Sequence, residues 1–66
     1  MTYTMTAREI IEDAFYDERL YNTPKPITPE EAAVTITAWE GEGIQIPPTL
    51  TPALFARYWN ILCEKA

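Results

Sequence analysis

The 66-residue chain contains no histidine, no serine, one cysteine and two glycines. Each shortage removes a class of chemistry. Without histidine the commonest general base and metal ligand is missing. Without serine the usual hydroxyl nucleophile is missing too. Cys63 stands alone, so an internal disulfide framework is ruled out, and a lone thiol fits a reducing compartment. It falls near the C-terminal end of a predicted helix, where the dipole raises a thiol pKa, and it reads as a small, half-buried hydrophobe. Gly41 and Gly43 are too few for a phosphate-cradling loop, and no Lys-Thr pair follows them. The expectation is therefore a protein that is not an enzyme and takes no cofactor.

Bases are also scarce. Five Lys and Arg face ten Asp and Glu, a net charge of −5. Residues 1–22 hold five acids and two bases, and residues 23–46 hold four acids and Lys25. Residues 47–66 hold one acid and two bases, so the whole excess lies in the first two thirds. Such a chain repels nucleic acid and acidic membranes through its long-range field and is drawn to basic surfaces. Direct nucleic-acid binding is not expected. A recognition helix at the C-terminal end would carry only Arg57 and Lys65, and the connection before it is too long for a helix-turn-helix. No stretch approaches the roughly 18 apolar residues of a membrane span. Residues 1–5 lack the basic residue and apolar run of an export signal. The expected location is the cytoplasm, with no membrane contact.

What the chain does have is large apolar side chains. Hydrophobic residues make up 47%, with two Trp, two Phe and four Tyr, too many for a disordered segment and enough for one core. The length allows a single domain, over residues 1–66. A domain of this size buries only about 60% of the surface its unfolded chain exposes, so its stability is marginal.

Helix-start signals occur three times. Thr6-Ala7-Arg8-Glu9 is a capping box, with Met5 and Ile10 at hydrophobic-staple spacing. Thr28-Pro29-Glu30-Glu31 is another, with proline at the first helical position, where no amide partner is missed. Thr51-Pro52-Ala53-Leu54 lacks the box glutamate but has the best staple pair, Leu50 and Phe55. The expected fold is all-α, a small three-helix domain with helices over about 7–18, 29–42 and 52–64. An extended linker through Pro24 and Pro26 and an apolar loop through Pro47-Pro48 join them.

In the first helix Ala7, Ile10, Ile11, Ala14 and Phe15 share one stripe. Glu18 falls in the middle of that stripe, which predicts that the helix ends or leaves the core there. The third helix carries a broad apolar face of Leu54, Phe55, Tyr58, Trp59, Ile61 and Leu62, opposite Arg57, Asn60 and Glu64. It is the expected organiser of a core containing Phe15, Ile36, Trp39, Phe55, Tyr58, Trp59 and Leu62, with Ile44, Ile46 and Leu50 turned inward from the loop.

The middle segment reads in two ways. As a helix it gathers Ala32, Ala33, Ile36 and Trp39, and stops if Gly43 turns left-handed, with Ile44 as the Schellman partner of Trp39. As an α+β alternative, Val34-Thr35-Ile36-Thr37 alternates like a strand, and residues 33–46 could form a hairpin around Gly41-Glu42-Gly43. The agreement of start and stop signals favours the helix.

The candidate binding surface is the polar side of the first helix. Tyr16 projects near its centre, with Glu9, Glu12 and Asp13 flanking it and Asp17 nearby. A tyrosine ringed by acids supplies rigid apolar area, a hydroxyl and steering charge, the composition of a protein-binding hot spot. The ordinary alternative is an aromatic lying along the surface or stacked on Arg19 or the proline linker. Acids on a polar helix face also make a poor metal site, which needs inward-facing ligands from several helices.

No motif carries a family name. In size and charge the chain resembles small acidic inhibitors of phages and mobile elements, anti-CRISPR proteins and DNA mimics among them, though no particular motif supports the likeness. The expected function is an inhibitor or modulator that docks an acidic face on a basic site of another protein. The alternative is a structural or regulatory subunit or adaptor, antitoxin-like, that oligomerises through apolar helix surface. The third helix presents more apolar surface than two short helices cover, which makes a weak homodimer an expectation as well.

Overall fold

A computed structural model of the chain describes residues 5–65 and contains three helices: α1 (Ala7–Tyr21), α2 (Pro29–Gly41) and α3 (Pro52–Lys65). The architecture is all-α. No strand forms among the described residues, so the hairpin over 33–46 is replaced by α2 and its stop. Both capping boxes close. Thr6 Oγ1 accepts from the Glu9 amide at 3.2 Å while Glu9 Oε1 accepts from the Thr6 amide at 3.0 Å. Thr28 and Glu31 repeat the exchange at 3.2 and 2.9 Å. At α3 the single cap bond runs from the Leu54 amide to Thr51 Oγ1 at 3.2 Å.

The stop of α2 is a Schellman motif. Gly43 takes φ +86°, the Ile44 amide donates to the Trp39 carbonyl at 3.0 Å, and the Gly43 amide donates to Glu40 at 3.1 Å. Helix α1 continues three residues past the expected end at Glu18. Its backbone stays helical as far as Tyr21 because residues 18–21 contain no breaker, and Asn22 closes it with an amide bond to the Glu18 carbonyl at 2.8 Å. The added turn leaves the core: Glu18, Leu20 and Tyr21 are all exposed. The ends of α2 and α3 differ from expectation by one residue each, within ordinary fraying.

Helix α3 organises the core. It packs on α1 and on α2, while no Cα atom of α1 comes within 8 Å of one in α2. An aromatic row crosses the domain through it. Phe15 of α1 meets Trp59 edge-on at 5.1 Å, Trp59 stacks on Phe55 at 5.9 Å, and Phe55 meets Trp39 of α2 at 5.3 Å. Ala7, Ile10, Ile11, Ala32, Ile36, Leu50, Ala56 and Leu62 fill in around the row. Trp39 and Tyr58, expected in the core, are only half-buried, and Ile44, expected inward, is exposed. Ile44 follows the left-handed turn of Gly43, which carries the chain out past the helix end.

Asn60 corrects another expectation. Placed by its polarity on the outer side of α3, it is half-buried and holds the α1–α2 linker. Its Oδ1 accepts from the Ile27 amide at 2.8 Å and its Nδ2 donates to the Ile27 carbonyl at 3.0 Å. The indole N–H of the neighbouring Trp59 donates to the Lys25 carbonyl at 2.8 Å. The extended linker is thus clasped along α3, and backbone polar groups that cannot join a helix find partners there.

Candidate protein-binding surface

The five acidic and aromatic residues singled out on α1 separate into groups. Glu9 is the reciprocal member of the Thr6 capping box. Glu12 lies toward α3, with Oε1 3.4 Å from Arg8 Nε. Arg8 Nε also donates to the Tyr58 hydroxyl at 3.0 Å, and its guanidinium carbon lies 6.0 Å from the Tyr58 ring centre. The Tyr58 hydrogen bond first, and the charge of Glu12 after it, raise the Arg8 pKa above its ordinary value. Glu12 is therefore paired with Arg8 at the α1–α3 seam. Asp13 and Asp17 are exposed on the opposite flank, the side of α1 that looks toward α2. Tyr16 lies between the flanks, 52% exposed, its ring edge-on to Phe15 at 5.8 Å.

One member of this face was not recognised from sequence. Leu20, 76% exposed, follows Glu9, Asp13 and Tyr16 at spacings of four, three and four residues, so the four share one outward stripe. Drawing α1 through Tyr21 would have placed it there. The stripe is acidic in its first half and apolar in its second, a shape suited to a partner surface with basic and hydrophobic parts side by side.

Because the backbones of α1 and α2 stay more than 8 Å apart, an open trough runs between them over α3. Its larger end, of about 780 Å³, is walled by Asp17, Glu18, the linker and Glu31, over a floor that includes Phe55 and Trp59. Its smaller end, of about 400 Å³, is lined by Met5, Ile10, Asp13 and Ile44. Ala14, Asp17 and Trp39 line both, so the two hollows adjoin across these three side chains. Nothing in the sequence pattern pointed to it, since it depends on the spacing of two helices set by a third.

Among the described residues no cluster of three or more His, Cys, Asp or Glu is arranged to hold a metal ion. Burial pushes the Cys63 thiol pKa up, away from the thiolate that a nucleophile requires. No described helix is long and apolar enough to cross a membrane. No protein-family model, curated protein or solved structure matches the chain.

Proposed function

We propose that this chain is a non-catalytic protein-binding module that docks the exposed side of α1 on a basic surface of a partner protein and modulates that partner. The observation that carries the reading is Tyr16, half-exposed on a folded helix with Asp13 and Asp17 beside it and Leu20 one turn on. A half-exposed tyrosine can give up its remaining exposed area to a partner at little entropic cost, since its ring already leans on Phe15. The charge excess in the first two thirds of the chain supplies attraction toward a basic site and repulsion from nucleic acid. Small acidic inhibitors, the anti-CRISPR and DNA-mimic type included, are the functional class this most resembles.

The subunit alternative is favoured by one observation, Val34, which is 70% exposed on the outer side of α2, where Ala38 is also exposed. Partner binding separates the two readings. Wild-type protein, Tyr16→Ala and the Asp13→Lys/Asp17→Lys pair are compared by surface plasmon resonance against a partner recovered by affinity capture. Tyr16→Ala is expected to raise the dissociation rate. The charge reversals are expected to slow association and flatten its dependence on salt. A partner indifferent to all three substitutions but lost with Val34→Asp would establish the subunit reading instead.

A further inference from the structure

The trough between α1 and α2 has a floor, a charge and an internal example of what it holds. Its aromatic surface comes from Trp39, Phe55 and Trp59. Along its length Asp13, Asp17, Glu18 and Glu31 face a single lining base, Lys25. The linker Pro24-Lys25-Pro26-Ile27 forms one wall as extended chain, bonded to α3 through the Trp59 indole N–H and the Asn60 amide. A proline-rich, lysine-bearing segment therefore already packs against this surface, with an indole donating to its backbone. The second indole, that of Trp39, is half-buried and lines both hollows, and its N–H, with no acceptor among the described residues, is open to solvent and to a ligand. A second extended strand of chain beside the first would provide an acceptor.

We propose that this trough binds an extended segment of a partner protein that bears lysine or arginine, laid beside the linker with a backbone carbonyl on the Trp39 N–H and a cationic side chain against Asp17. The proposal rests on the protein-binding reading above and adds to it a second contact, reached past Asp13 and Asp17 on the α2 side of α1. Charge complementarity selects the occupant. The acids disfavour an acidic peptide, and tryptophan faces favour a cation over a neutral side chain. The groove runs beside α1 from Ile10 to Asn22, about 18 Å at 1.5 Å per residue, enough for five or six residues of extended chain.

The test uses the full chain, labelled with nitrogen-15, titrated with two blocked hexapeptides of alternating sequence, arginine-proline and glutamate-proline. Proline holds both extended. Saturable shifts at the Trp39 indole N–H and at the Ala14 and Asp17 amides are expected with the arginine peptide only. Asp17→Asn is expected to weaken its binding about threefold or more. Trp39→Phe, which keeps the ring contact and removes the donor, should weaken it as well. Glu12→Gln, on the other flank of α1, should leave it unchanged. Shifts confined to Glu9, Tyr16 and Leu20 would overturn the groove while leaving the α1 face as a binding surface. Absence of saturable shifts at millimolar peptide, or equal binding of the glutamate peptide, would also overturn the groove. The broader reading is decided separately, by the effect of Tyr16→Ala on the recovered partner.

Discussion

The two connectors of this domain are held in opposite ways. The α2–α3 loop, residues 42–51, secures itself: Gly43 and Ile44 close the Schellman motif, and the Leu50 amide bonds the Pro47 carbonyl at 3.0 Å. Leu50 and Pro47 are buried, so the loop also anchors itself by packing. The α1–α2 linker, residues 22–28, has prolines at 24 and 26 and no such internal turn; its Lys25 and Ile27 backbone groups are satisfied by α3 side chains more than thirty residues away. A self-closed loop is a local structure whose stability depends on its own residues. A clasped linker is a tertiary structure and exists only while α3 is in place. The clasped linker is also the one that walls the trough, so a candidate binding surface depends on the less autonomous connector.

The comparison breaks most completely at Trp59, which serves both the core and the clasp. Trp59→Ala removes a ring lying between Phe15 and Phe55 together with the donor to Lys25. Truncations of this kind cost about 3–5 kcal/mol. Small domains have roughly 5–15 kcal/mol in total, so most of the stability of a 66-residue chain is at stake. Urea unfolding followed by far-ultraviolet circular dichroism should show a large fall in the midpoint. A midpoint within error of wild type would mean that α3 is not the organiser.

Asn60 sharpens the comparison because both of its side-chain hydrogen bonds go to the linker. Asn60→Ala leaves the Ile27 amide and carbonyl without the partners they have at 2.8 and 3.0 Å. The expected cost is about 1–3 kcal/mol, the range for stranding partly buried polar groups. Amide hydrogen exchange should quicken at Ile27 and hold steady at Gly43 and Ile44. Equal quickening of both connectors would show that they unfold as one unit and that the distinction is only geometric.

The same contrast explains what could be read from sequence. The caps, the staple residues Met5 and Leu50 and the stop at Gly43 depend on neighbours within six positions, and their residue types announce them. The clasp links residues 33 and 34 apart, and Asn60 carries no mark separating it from an exposed asparagine on a polar face. The end of α1 was misplaced for a related reason. Glu18 on the apolar stripe signals departure from the core, and helix and core need not end together. Of the candidate surface, Tyr16 and the acids were visible by helical projection. Leu20 was hidden behind the early helix end, and the trough required the relative placement of α1 and α2 on α3.

The finest test lies at the entry to the self-closed loop, where two glycines two residues apart should respond with opposite sign. Gly43 has φ +86° and open space where a Cβ would go, so Gly43→Ala meets no clash and pays only for the left-handed backbone. That costs about 1–2 kcal/mol for a residue with a side chain. Gly41 is the last residue of α2, its φ is not positive, and its Cβ position is equally open. Gly41→Ala should therefore stabilise by about 0.4–1 kcal/mol, because alanine loses less backbone entropy on entering a helix. Urea midpoints of the two variants should fall on either side of wild type. The double variant should lie close to the sum of the two, apart from coupling through the shared motif. A stabilising Gly43→Ala would mean that the chain leaves α2 by another turn, and the loop would lose its claim to close itself.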